Sequence, residues 1–533
     1  MIKFVQAKTK HWIPNGIGPA RLIAALLLIA LPTACKPALM NRQEAVQTSQ
    51  AARSIVRVTV TSQGYYFHRP WQQRPPVTLS AIGVVVPGNR VLVNGLLVAD
   101  HRYIELETLD TQQKQRAEVE TVDYEANLAL LKPTDASFLI NRKPLEMTQS
   151  AVVGDDLTIW QVKPSGDVIP GRGKVISVEL APYSLGHFFL VHRLDGVLQY
   201  QYNNLTLPVI KGGRLAGLIL RYSSSDRTID MISPPVIRHF LEDARDGSYQ
   251  GFPLVGFMYG DTLDPQLRRY IGLPGNLGGI YVQRVIKGGP ADQAGVQVGD
   301  VVTRMGDFSV SNTGQYDDPL YGRTSLVHLI RTAFHVGQSI PMAVFRGGKI
   351  ISLKIKLDHR SPDEFLVRPY IIDRPADYLI VGGMVIQELS LSYLREYGKD
   401  WNSRAPIHLL YYNQNQDYLN GDGRNKIVII TGVIPTPYTI GYENLSDLVI
   451  QKINNMEIHK LADVVQALRR PINGFHKFET EQHPHALYLD AKEIPSIDKM
   501  IEERYRIPIP DMDIKPAQSG NAFVLPAGKA PLG

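Results

Sequence analysis

The sequence predicts a mainly β protein of several domains, and three observations carry that expectation. From about residue 51 to 230 the chain is a series of short β-rich runs broken by turn residues, among them "SIVRVTVTS", "SAIGVVV", "RVLVNGLLV" and "LPVIKGGRLAGLIL". Many short strands at such spacing indicate barrels or sandwiches. Two polar linkers, "DGSYQGF" and "HRSPDEF", then divide the rest into units of about a hundred residues each. Finally, 44% hydrophobic and 20% charged residues over 533 positions is the balance of a globular protein, neither fibrous nor disordered.

The first 35 residues form a separate segment. Lys3, Lys8, Lys10 and Arg21 precede or open the apolar run Leu22–Leu31, "PTAC" follows, and no acid occurs before Cys35. This is the layout of an export signal, because ten apolar residues fall short of the roughly 20 a spanning helix needs. The stretch resembles a bacterial lipoprotein signal, with Pro32 where leucine is usual. The resemblance implies lipidation at Cys35 and anchoring to a membrane of a Gram-negative envelope, with Lys36 favouring the outer one. Four of the six net positive charges lie in this segment, which leaves +2 for the remainder and excludes a polyanion-binding surface as an expectation: no nucleic acid is implied. Cys35 is the single cysteine, so no internal disulfide supports the fold.

A linker, 36–50, leads to the barrel region, 51–247. It closes with "SPPVIRHFLEDARDG", where Ser233 is expected to cap a helix, Pro234 to sit in its first turn and Gly247 to end it. The second unit spans 250–358 and the third 368–490; residues 491–533 form an extension ending in a Gly, Ala and Pro-rich tail. In the third unit "NQNQDYLNGDGRN" hints at a calcium loop, but counting twelve from Asp417 reaches Val428 where a bidentate glutamate is required. A polar turn is expected there instead, and neither a metal nor a cofactor is implied.

The most specific string is "GGIYVQRVIKGGPADQAGVQVGDVVTRMGD", Gly278 to Asp307. It resembles the first PDZ domain of HtrA-type serine proteases: a glycine-led strand, a small-residue helix and a Gly-Asp turn into the next strand. Gly278 and Gly279 suggest backbone N–H groups near Ile280, Tyr281 and Val282 open to a peptide carboxylate. Leu326, Leu329 and Ile330, at helical spacing in "TSLVHLIRTAF", suggest the apolar wall of the groove. The bland alternatives are a tight turn and the domain's own core. The third unit, with "YLIVGGMVIQELS" and "IGYE" followed by "KINN", is similar to the second PDZ domain of plant Deg proteases. It lacks the small-residue helix string, so a degenerate groove and an assembly role are expected.

With that family in view, three barrel segments align in order. "VLVNGLLVAD" places Leu96 at the family's catalytic histidine, "DYEANLALLKP" places Asn127 at the aspartate, and "YNNLTLPVIKGGRLAGL" places Leu205 at the serine; a slip of one would put Asn204 or Thr206 there. The resemblance implies a chymotrypsin-like double β-barrel followed by two PDZ domains. Leucine has no proton-accepting atom and asparagine cannot stabilise an imidazolium, so the triad chemistry has no actors at these positions. The expectation is therefore an exported pseudoprotease, not an enzyme, that binds polypeptide C-termini or unfolded proteins as envelope scaffold, chaperone-like holder or regulator of proteolysis. An active serine endopeptidase using other residues and a purely structural subunit are the rival readings. The family is built on trimers, and "YYFHRPW" from Tyr65 suggests either oligomer contacts or a loop packed on its own barrel.

Overall fold

The computed structural model describes residues 51–163, 165–199, 206–419 and 424–509. Cys35, the export segment, the 36–50 linker, Leu205 and the tail beyond 509 lie outside them.

Six strands close the first barrel: β1 (Ile55–Ser62), β2 (Val77–Val86), β3 (Arg90–Val93), β4 (His101–Thr108), β5 (Lys114–Asp123) and β6 (Leu128–Pro133), in the order β1-β2-β3-β6-β5-β4. A second barrel repeats the design with β7 (Asp156–Val162), β8 (Val168–Pro182), β9 (Phe188–Gly196), β10 (Pro208–Lys211), β11 (Arg214–Ser223) and β12 (Thr228–Ile232), in the order β10-β11-β12-β9-β8-β7. Closure pairs every strand on both sides and removes exposed edges. Strand β6 shows how the two bodies share residues. Ala129 and Leu131 enter the core of the first barrel, whereas Leu128 and Leu130 join the cluster that also holds Ile159, Leu218 and Phe240. Both faces are buried, which is why "LALL" reads as a continuous apolar run rather than an alternating one.

The helix Pro234–Asp243 follows, with proline in its first turn as expected. Ser233 does not cap it through its side chain: its hydroxyl bonds the Leu190 carbonyl (2.6 Å) and lies 2.8 Å from His192 Nδ1. The helix ends on Ala244, and Gly247, at φ 82°, turns the chain three residues later.

The second unit is a sheet of β13 (Phe257–Gly260), β14 (Ile280–Val285), β15 (Val301–Met305), β16 (Phe308–Ser309), β19 (Ser339–Arg346) and β20 (Lys349–Lys356), in the order β13-β14-β15-β19-β20 with β16 beside β15. A separate hairpin of β17 (Gln315–Asp318) and β18 (Gly322–Ser325) leads into a helical segment, Leu326–His328, which continues as a wider π-type turn over Leu329–Ala333. The third unit has β21 (Tyr378–Val381), β22 (Met384–Glu388), β23 (Val428–Val433), β24 (Leu448–Ile453), β25 (Met456–Glu457), β26 (Phe475–Thr480) and β27 (Ala486–Asp490). Alternate residues of β23 face opposite layers. Val428 and Ile430 meet the helix Leu461–Leu468, while Ile429 meets the helices between β22 and β23.

The segment expected as a polar turn is instead partly helical: Asn413–Leu419 complete the helix Ile407–Leu419. Past residue 490, where only an extension was expected, the helix Ile494–Tyr505 packs Ile494, Ile497 and Ile501 onto the third unit. The aromatic loop from Tyr65 touches its own barrel, where Arg102 of β4 donates to the Tyr65 hydroxyl (3.0 Å), and also packs on the third unit. The Phe67 carbonyl accepts a bond from Gln387 (3.1 Å), and the His68 ring sits 4.6 Å from that of Tyr393.

Candidate functional site

Two of the three positions aligned with a catalytic triad lie together between the barrels. After β3 the chain makes a short helical turn, Gly95–Leu97. A Cβ on Gly95 would come within 3.0 Å of Asp123 O and Leu128 N, so glycine is what lets this turn lie against the segment carrying Asn127. Asn127 adopts φ 55°, a left-handed conformation that asparagine tolerates. Its Oδ1 accepts the Leu96 N–H at 2.9 Å, and its Nδ2 is 3.5 Å from the exposed hydroxyl of Ser184. Leu96 and Asn127 thus meet as the sequence alignment requires, and Leu205 lies outside the described residues. Thr206 and Leu207, just after it, are buried.

Next to Asn127 is a buried ionic hub. Glu125 lies 3.3 Å from His187 of the second barrel, 3.8 Å from Arg331 of the second unit and 3.7 Å from His359 of the following linker. Burial alone would raise the Glu125 pKa, but the bond from His359 and the charges of His187 and Arg331 outweigh it and hold the carboxyl below its usual range. Asp123 has the opposite fate. Burial and the Glu125 charge push it up, while Tyr249 donates to it at 2.6 Å. Sequence reading missed this hub because its members are far apart along the chain.

A second junction follows the Leu96 turn. The Asp100 N–H donates to Asp373 Oδ1 (2.7 Å), and the Asp373 N–H donates to Asp100 Oδ1 (2.8 Å). The Tyr124 hydroxyl also bonds Asp373. Burial is the main reason the Asp100 carboxyl is raised above its ordinary range.

The strand expected to face a peptide is enclosed in its sheet. β14 is an interior strand: Ile280 and Tyr281 pair with β15, Tyr281 and Val282 pair with β13, and Val282 exchanges bonds with Asp300 and Gly299. No free edge remains along Ile280–Val282 for an added strand. The two glycines serve packing. A Cβ on Gly279 (φ 145°) would meet Val301 Cγ1 at 2.6 Å and Val302 O at 2.7 Å, and one on Gly278 would meet Val310 O at 2.8 Å. Leu326, Leu329 and Ile330 are core residues, in one buried cluster with Val255 and Phe257.

That same cluster identifies the edge that is open. β13 has a strand on one side only, β14, and its Phe257 shares one buried cluster with Leu326, Leu329 and Ile330 of the helical segment. A peptide laid along the open side would extend the sheet by backbone bonds. The turn before it, Leu254–Val255–Gly256, places Gly256 at φ 75° against Pro290 and Ala291. The available sequence signal was Gly256 between two apolar residues, directly after a linker.

Two barrels in series with two PDZ units define a protein of trypsin-like protease architecture carrying peptide-binding modules. Residues 260–357 and 367–511 each match a model of the PDZ domain. Putative protease Do-like 13 from Arabidopsis thaliana is 22% identical over 469 residues, covering 87% of this chain and 90% of that protein. Protease Do-like 4, mitochondrial, from the same plant is 23% identical over 466 residues, covering 86% and 84%. Protease Do-like 2, chloroplastic, is 24% identical over 464 residues, covering 85% and 74%. Among solved structures, HtrA-type protease AlgW with decapeptide is 18% identical at a TM-score of 0.46, covering 60% of this chain and 99% of that one. The chain carries two PDZ domains and is similar along most of its length to these Do-like proteases.

The expectation of a chain that is not an enzyme is overturned by these relatives, which are named proteases and align over most of its length. Nothing in the described residues shows inactivity. The relatives include mitochondrial and chloroplastic proteins, and among the described residues no helix is long and apolar enough to cross a membrane.

Proposed function

We propose that this chain handles polypeptides in the envelope of a Gram-negative bacterium, tethered through a lipid on Cys35. The first PDZ unit captures an extended chain end along β13, and the barrels receive what it holds. One observation supports the capture site: β13 is the end strand of its sheet, paired on one side only. Hydrolysis by this chain runs through groups other than Leu96 and Asn127, since neither side chain can take a proton from a nucleophile. The Ser184 hydroxyl and the His187–Glu125 pair, both beside Asn127, are the candidates.

The test combines binding and cleavage on the full chain. Peptides with free and amidated C-termini are titrated, and unfolded casein is digested with and without Ser184→Ala. Selective binding of free carboxylates, with casein cleavage reduced by that substitution, supports the proposal. Equal binding of amidated peptides removes the chain-end specificity, and cleavage unaffected by Ser184→Ala removes the assigned nucleophile.

A further inference from the structure

The helical segment Leu326–Ala333 has two faces of different chemistry. Leu326, Leu329 and Ile330 enter the PDZ core, whereas His328 and Arg331, with His335 just beyond, are set against the barrels. Histidines come to the same seam from the other side. The His239 ring, on the helix after the second barrel, stacks on His335 at 4.4 Å and 11°, and on Phe252 at 4.5 Å and 23°. His192 of β9 meets the ring of Tyr321 edge-on at 5.5 Å, and Tyr321 meets His328 at 5.8 Å. Four histidines from three places in the sequence therefore line one seam between the first PDZ unit and the second barrel.

We propose that these histidines form an acid-released clamp: while neutral they hold the first PDZ unit on the second barrel, and proton uptake frees it. Stacked neutral rings pack as apolar surfaces, whereas a proton taken up by the buried His239, whose ring lies against both Phe252 and His335, puts a charge into that stack. Burial is the first cause that pushes His192, His239 and His328 down to about 4; the neighbouring His335 adds to it for His239, and His328 adds to it for His192. Once released, each returns towards its ordinary value near 6.5. The docked state thus has the lower pKa, so the clamp is at full strength above about pH 6.5 and weakens as pH falls from there towards 4.

The surrounding groups moderate this without reversing it. Asp318 lies 3.8 Å from His328 but is already bonded to Tyr316 and to the Leu320 and Tyr321 amides. Asp155 favours the His192 cation but is paired with Lys211 at 2.6 Å. Asp243 favours the His239 cation but accepts the Gln250 and Gly251 amides. The His192 ring is also held by the Ala151 carbonyl and the Ser233 hydroxyl, and that of His328 by the Thr332 hydroxyl. At the far end of the seam, Glu125 opposes release. Burial lowers His359, but its bond to Glu125 raises it further, so that contact gains on acidification, while burial lowers His187 beside it. Four depressed histidines, His187 included, stand against one raised one, and release is the net outcome.

The inference does not depend on peptide capture, and its assay contains no peptide, so either can fail alone. The full chain is followed by small-angle scattering and far-UV circular dichroism from pH 7.5 to 4.5. The expected result is an increase in radius of gyration below about pH 5.5 with the β-sheet signal retained. Two variants are measured alongside. His239→Phe keeps the stacked ring without a titrating nitrogen, and His192→Gln with His328→Gln removes the other pair. Each should move the expansion to lower pH. Absence of expansion, expansion in step with loss of the far-UV signal, or the same midpoint in every folded variant would overturn the clamp.

Discussion

Asn127 and Leu96 are joined by one hydrogen bond, from the Leu96 backbone N–H to the Asn127 side-chain oxygen at 2.9 Å. The bond ties the turn after β3 to the start of β6, and so holds the two strand ends side by side. Its role here is read from the backbone, since the leucine side chain takes no part in it.

Replacing Asn127 by alanine removes that acceptor and puts a Cβ residue without a compensating polar group at φ 55°. The expected loss is about 1–3 kcal/mol of stability, read as a lower urea midpoint. An unchanged midpoint would mean that the Leu96 amide finds another partner at no cost.

Gly279→Ala separates packing from ligand binding. With Val302 O 2.7 Å from the added carbon, the substitution must displace β15 or β14, so it should destabilise the second unit by about 1–3 kcal/mol or more. Lost peptide affinity at full stability would return the site to the glycine-led strand.

Much of the architecture was legible because it depends on local pattern. Short β runs with turns at their ends foretold the barrels, and the strings "VLVNGLLVAD" and "DYEANLALLKP" marked the two turns that bring Leu96 to Asn127. Which strand forms the open edge was not legible. Gly278 and Gly279 have the look of a carboxylate cradle, but whether a strand is an edge is a property of sheet order, and only the folded chain shows β14 enclosed and β13 open. The histidine seam was hidden for a similar reason: His192, His239, His328 and His335 share no motif.

Glu125→Gln removes the carboxylate that lies within 3.3–3.8 Å of the buried Arg331 and of His187 and His359. Leaving a buried guanidinium without its counter-charge costs about 3–5 kcal/mol where such pairs are broken. Calorimetry should show the first PDZ unit melting apart from the barrels at lower temperature. A single transition at the wild-type temperature would make the hub dispensable.

Asp498 gives the third unit a dependence on pH. Its Oδ1 accepts the Gly382 N–H at 2.9 Å, yet burial pushes the carboxyl up to about 7. The folded pKa lies above the unfolded one near 4, so the folded state favours the protonated acid, and this contribution is lost as pH rises from about 4 to 7. Asp498→Asn should therefore gain on the wild type with rising pH, by an amount on the order of 2–4 kcal/mol at pH 8, in urea titrations at pH 5 and 8. Parallel curves at both pH values would show that the carboxyl is ionised without penalty.

Anchoring is tested by fractionation. With Cys35 lipidated, the wild type should sediment with membranes and Cys35→Ala should not. A wild type found only in the soluble fraction would remove the tether.

The claim at the centre of this account is that β13 is where a polypeptide docks, and hydrogen exchange reads it amide by amide. The full chain is exchanged with and without a saturating peptide bearing a free C-terminal carboxylate. Protection should rise at amides of Phe257–Gly260 and at the preceding Val255–Gly256 turn, and stay unchanged along Gly278–Val282, whose strand is already paired on both sides. New protection confined to Gly278–Val282, or to the third unit, would contradict the assignment.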